Sequence, residues 1–157
     1  MQYGGDRMRE RINEAVKDAM RSKDKLRLST LRLMAAALKD QDIAKRAKDG
    51  AEALDAQEIT ALFAKMVKQR EDSIKAYEEA GRMEMAEQER AEQAVIREFL
   101  PKQLTEAEVD AAIKQAVADT GAESLRDMGK VMGALKAAHA GKMDFGAAGG
   151  KLKAILG

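Results

Sequence analysis

The sequence predicts an all-α protein: an N-terminal helical unit of about four helices over residues 8–100, followed by a small C-terminal three-helix domain over 101–157. Three observations carry that reading. Ala, Leu, Met, Glu, Lys and Arg dominate the chain, and these residues lose least on entering a helix. Aromatics make up 3% of it, so strand formers are too sparse for a sheet. Apolar residues recur at three- and four-residue spacing through most of its length.

Residues Met1 to Arg7 precede the first amphipathic pattern and read as an extension outside the fold. Ile12, Val16 and Met20 then share one helical face, and Leu31, Met34, Ala35 and Leu38 repeat the pattern in a second helix. The segment from Lys45 to Leu54, with Asp49-Gly50 inside it, reads as a loop. Asp55-Ala-Gln-Glu58 has capping-box spacing and starts a third helix, whose stripe is Ile59, Leu62, Phe63, Met66 and Val67. Gly81 stops it near Ala80. A fourth helix from about Met83 to Glu98 is charged until Val95 and Ile96, and Glu84, Glu87, Glu89 and Glu92 read as its solvated face.

Pro101 removes an amide donor and disfavours helix at Leu100, which makes it the expected domain boundary. Thr105-Glu-Ala-Glu108 is a second capping box, and Val109, Ala112, Ile113 and Val117 give the following helix an apolar face ending near Gly121. Ser124 caps a short helix with Met128, Val131, Met132 and Leu135. Asp144 caps a last one bearing Leu152, Ile155 and Leu156. Gly146, Gly149 and Gly150 each cost that last helix up to about 1 kcal/mol relative to alanine.

Composition narrows the function. There is no cysteine, so neither a disulfide framework nor thiolate metal ligation is available. No apolar h-region follows the N-terminal arginines and no run of about 18 apolar residues occurs, so a cytoplasmic protein without a membrane span is expected. The net charge of +1 is unevenly spread. Arg7 to Lys48 holds thirteen Lys and Arg against six Asp and Glu, Glu71 to Glu98 holds nine acids against four bases, and Arg126 to Lys153 holds six bases against two acids. Two basic ends flanking an acidic middle fit either charge pairing between neighbouring helices or an electrostatic binding face.

Catalytic machinery is hard to place. The chain has one histidine, His139, near the end of a predicted helix, and no Gly-x-Ser-x-Gly elbow. A zinc site of the usual kind needs more His or Cys. Neither a phosphate loop nor a dinucleotide fingerprint is present, so no catalytic residue, cofactor or metal is expected. One motif stands apart: Asp127-Met-Gly-Lys-Val-Met-Gly-Ala-Leu135 puts Gly129 and Gly133 on one helical face. Those glycines let either a neighbouring helix or a phosphodiester backbone come close, with Lys130 supplying charge in the second case.

Three segments together carry a family resemblance. They are Asp24-Lys-Leu-Arg-Leu-Ser-Thr-Leu-Arg32, Lys68-Gln-Arg-Glu-Asp-Ser-Ile-Lys-Ala-Tyr-Glu-Glu-Ala-Gly-Arg82, and Phe99-Leu-Pro-Lys-Gln-Leu104 followed by the glycine motif. In order and spacing they resemble the YqeY family, also called GatB/YqeY-domain proteins, over nearly the whole chain from Met8. The resemblance implies a C-terminal part similar to the tail domain of the B subunit of glutamine-dependent aspartyl/glutamyl-tRNA amidotransferase, a domain thought to hold tRNA. It implies a non-catalytic, tRNA-associated accessory protein in which Gly129, Lys130 and Gly133 match the family motif, and the nearby bases Lys136, Lys142, Lys151 and Lys153 complete the candidate RNA-facing set. Two alternatives stand beside it: a protein-interaction module working through the N-terminal helices, around Ile59 to Val67 or along the acidic helix, and a carbon–nitrogen ligase using glutamine as amido donor. No serine-rich amidase signature and no nucleotide site can be placed on these residues for the ligase.

Overall fold

The computed structural model describes residues 3–50 and 52–157, and every element among them is helical. Seven α-helices follow in order: α1 (Tyr3–Ser22), α2 (Lys25–Asp49), α3 (Ala56–Glu79), α4 (Met83–Arg97), α5 (Glu106–Thr120), α6 (Met128–His139) and α7 (Phe145–Leu156). A 3-10 turn over Leu125–Asp127 leads into α6. The all-α class is thus as expected. The chain forms two compact units, one ending at Leu100 and the other Pro101–Gly157, each with its own apolar cluster.

In the first unit, Ile12 and Ala19 of α1, Leu31, Met34 and Leu38 of α2, Ile59, Phe63 and Met66 of α3, and Val95 and Ile96 of α4 are buried with Phe99. Phe63 and Phe99 meet edge to face with centroids 6.5 Å apart, and the Arg11 guanidinium lies 5.0 Å over the Phe99 ring. The helix starts obey local chemistry. Asp24 accepts from the Arg27 amide to open α2, and Asp55 and Glu58 form the reciprocal capping box that opens α3. Arg27 then reaches Glu98 with both guanidinium nitrogens, at 2.6 and 3.0 Å.

Two boundaries differ from expectation. The extension ahead of Met8 is helical from Tyr3 onward, while Met1 and Gln2 lie outside the described residues. Gly5 explains the packing: a methyl group there would sit 3.0 Å from the Leu54 carbonyl oxygen and 3.1 Å from an Arg9 guanidinium nitrogen. Arg9 donates to that carbonyl (3.0 Å) and to Asp42 Oδ1 (2.8 Å), which also accepts the Leu54 amide at 2.8 Å. The predicted loop is also shorter. Lys45 to Asp49 are the last turn of α2, and Gly50, at φ 64°, is its left-handed cap, donating to the Arg46 carbonyl. Ala51 lies outside the described residues. Met20, expected on the core face, is 53% exposed, and Ala19 is buried in its stead.

The acidic face of α4 needs a further correction. Glu84 and Glu87 are exposed, but the Glu92 side chain is only 13% exposed, 3.9 Å from Arg70 Nη2 on α3. Next to it, buried Gln93 donates to the Val67 carbonyl (3.1 Å) and to Glu71 Oε2 (3.0 Å). Burial pushes the Glu92 carboxyl above its ordinary range, Glu89 adds to the rise, and Arg70 offsets part of it. Folded Glu92 therefore holds its proton more tightly than the unfolded chain does. Stability falls as pH rises from about 4.3, the ordinary glutamate value, through the raised folded value, and stays lower above it. Glu92→Gln is expected to remove that loss. Melting curves from about pH 4 to pH 7 should be flatter for the variant, which should be no less stable than wild type at neutral pH.

In the second unit, Ile113 and Ala116 of α5, Val131 and Leu135 of α6, Met143, and Ala148 and Leu152 of α7 make the core. Thr105 and Glu108 form the predicted capping box, and Gly121 closes α5. Ile155, expected in the apolar stripe of α7, is 54% exposed.

Candidate functional site

The expected RNA-facing residues lie on α6, on α7 and in the turn between them. Helix α6 turns Val131 and Leu135 inward, which leaves Gly129, Lys130, Gly133 and Lys136 on its exposed side. A methyl group at Gly129 or Gly133 would meet no atom within 4 Å, and the same holds for Gly149 and Gly150 on α7. Of the two readings of the glycine motif, close approach of a helix from this chain is therefore not what Gly129 and Gly133 serve. Their backbone is open to whatever comes from outside.

The lysines differ in how free they are. Lys130 makes a loose pair with Asp127, 3.8 Å away and one turn back on the helix. Asp127 itself is held by the Glu123 and Ser124 amides, at 2.9 and 3.2 Å, and those hydrogen bonds keep its carboxyl below the ordinary range. Lys136 and Lys153 are exposed and Lys142 is half-buried. None of these three has an ion-pair partner among the described residues. Lys151 is different. Its ammonium sits 2.8 Å from Asp110 and 3.6 Å from Glu106 on α5, and the hydrogen bond to Asp110 raises its pKa. A lysine so placed is already shared with two carboxylates.

The start of α7 is already occupied. Asp144 Oδ1 accepts the Gly146 and Ala147 amides at 2.9 and 3.3 Å, so the α7 start is already capped by a carboxylate. His139 is the last residue of α6, and its backbone carbonyl accepts the Lys142 amide at 2.9 Å. Among the described residues no three His, Asp or Glu side chains converge as metal ligands, and no helix is long and apolar enough to cross a membrane. The exposed side of α6 thus offers open glycine backbone at Gly129 and Gly133 beside the charges of Lys130 and Lys136.

The protein-interaction surface expected around Ile59 to Val67 is not available, because Ile59, Phe63 and Met66 are buried in the core of the first unit. That Gly129 and Gly133 share a helix face was legible in sequence, but not which way the face points. The capture of Lys151 by α5 was not, since its partners are far away in the chain.

A family model described as Yqey-like protein matches residues 9–156. Two curated relatives carry the same name, "Altered inheritance of mitochondria protein 41, mitochondrial". The one from Lachancea thermotolerans is 30% identical over 110 residues, covering 69% of this chain and 57% of its own. The one from Kluyveromyces lactis is 32% identical over 111 residues, with the same coverage of 69% and 57%. The chain thus spans 57% of the length of these relatives.

Proposed function

The chain belongs to the family of Yqey-like proteins, and from that premise we propose that it is a non-catalytic accessory protein that associates with tRNA. The contact is made by the exposed side of α6 with the adjoining part of α7. Gly129 and Gly133 let the phosphodiester backbone come close, and Lys130, Lys136, Lys142 and Lys153 neutralise phosphates. Lys151 contributes only where a phosphate displaces its carboxylates. The compartment proposed is the cytoplasm, while the relatives' names assign those proteins to mitochondria.

The observation that carries the reading is the emptiness around Gly129 and Gly133. Each glycine costs its helix up to about 1 kcal/mol relative to alanine, and no contact among the described residues requires a glycine there. Lysines beside the open backbone add the charge that a polyanion requires. The choice of tRNA among polyanions rests on the tail-domain similarity that the sequence resemblance implies. Ligase chemistry has no support in the residues.

The test is filter binding of the purified protein to total tRNA and to an unrelated RNA of similar length, at low and near-physiological salt. Preferential tRNA binding is expected, with a steep fall as salt rises. Lys130→Glu with Lys136→Glu should lower the salt slope by about one unit per lysine and weaken binding at least about tenfold. Gly129→Ala with Gly133→Ala should move two readouts in opposite directions. Melting temperature rises, because the helix gains up to about 1 kcal/mol per site, while tRNA affinity falls. Unchanged affinity in both double variants would show that this face does not touch RNA.

A further inference from the structure

Helix α2 is apolar on two sides, and only one of them is covered. Leu31, Met34 and Leu38 enter the core, whereas Leu26, Leu33 and Ile43 are 36%, 47% and 53% exposed. Toward the start of the helix, Lys25, Leu28, Ser29, Arg32 and Leu33 line an open groove. Their spacing of four and then three or four residues places them on one face. Leu28 and Leu33 make an apolar floor, and Lys25 and Arg32 bring two positive charges to it.

Those charges have no ion-pair counterpart among the described residues. Two acids near the start of the helix are engaged with Arg27 instead. Asp24 accepts the Arg27 amide at 3.1 Å, and Glu98 takes both nitrogens of Arg27. A leucine floor between unpaired cations calls for a ligand that is apolar along one side and acidic along its edges. Phosphodiester backbone supplies only the second property.

We propose that this groove docks an amphipathic acidic helix of a partner protein, leucine-type side chains on Leu28 and Leu33 and carboxylates on Lys25 and Arg32. Arg32 is the stronger anchor, because its planar fork takes a carboxylate through two hydrogen bonds. The site lies in the first unit and does not depend on the RNA reading of the second.

The probe is a fluorescent synthetic helix of about 18 residues, with Leu at positions i, i+3, i+4 and i+7 and Glu flanking them, titrated with the full chain by anisotropy. Controls are a scrambled peptide of the same composition and one with Lys for Glu. Micromolar binding is expected for the acidic amphipathic helix and at least about tenfold weaker binding for both controls. Arg32→Glu and Leu33→Glu should each cost at least about tenfold as well. Both residues are exposed, and an unchanged melting temperature verifies the fold. Absent binding, equal binding of the scrambled peptide, or full binding by both variants would overturn the proposal. Loss of tRNA or anionic-vesicle binding in these variants, with peptide binding unaffected, would overturn it too. So would a concentration-dependent dimer that both substitutions abolish.

Discussion

Phe63→Ala is expected to destabilise the N-terminal unit by about 3–5 kcal/mol. Phe63 is fully buried where α1, α2, α3 and α4 converge, among Ile12, Leu31, Met34, Ile59 and Ile96. Three phenylalanines occur in the whole chain, and two of them, Phe63 and Phe99, pack against each other here. Truncation removes the transfer energy of one ring, leaves a cavity, and forfeits an edge-to-face contact worth about 0.5–1.5 kcal/mol. Phe99 loses support on one side while Arg11 still lies across its face. The measurement is a urea titration followed by circular dichroism, which should show a large drop in midpoint at unchanged slope. Phe63→Leu keeps most of the volume and should cost less than about half as much. A loss under about 1 kcal/mol for the alanine variant would mean that the core closes over the gap.

The elements legible in the sequence are those whose signals are local. The capping boxes at Asp55 and Thr105 stand as read, because a side chain and the amide it serves are three residues apart. The apolar stripes of α2 and α3 are buried where expected, at Leu31, Met34, Leu38, Ile59 and Phe63. Misreadings arose where the deciding partner is distant in sequence. Gly4-Gly5 looks like a floppy start until the Leu54 carbonyl is found only 3.0 Å from where a methyl group on Gly5 would sit. Lys45 to Asp49 look like loop because charged residues are common to loops and to exposed helix, and a tertiary pair, Lys45 with Glu58 at 2.6 Å, helps anchor that turn. Glu92 reads in sequence like the exposed Glu84 and Glu87 of the same helix, and only packing against α3 buries it. For the site, spacing alone leaves open whether Gly129 and Gly133 face a helix or the outside. The space around them decides it.

Leu152→Ala is expected to unfold the C-terminal unit and, with it, to abolish tRNA binding while the N-terminal unit keeps its own transition. Leu152 is fully buried with Ile113, Val131 and Leu135, and truncation of such a leucine costs about 2–5 kcal/mol. A core this small supplies only about 3–5 kcal/mol in total, so the substitution consumes most or all of it. Helix α7 has little in reserve. Gly149 and Gly150 lower its intrinsic helicity, so its place depends on the residues it buries. The proposed RNA face is carried by α6 and α7, and both helices are anchored in one core, through Leu135 and Leu152. Binding should vanish in Leu152→Ala with helical signal partly lost, whereas Lys130→Glu with Lys136→Glu should weaken binding with helical signal intact. Gly149→Ala with Gly150→Ala, placed in the Leu152→Ala background, should restore up to about 2 kcal/mol, since a methyl group at either site meets nothing within 4 Å. If folding returns in that triple variant and tRNA binding does not, Gly149 and Gly150 belong to the RNA face along with Gly129 and Gly133. If both return, α7 is needed only to hold α6 in place. One transition shared by the two units in calorimetry would instead mean that they fold as a single cooperative body.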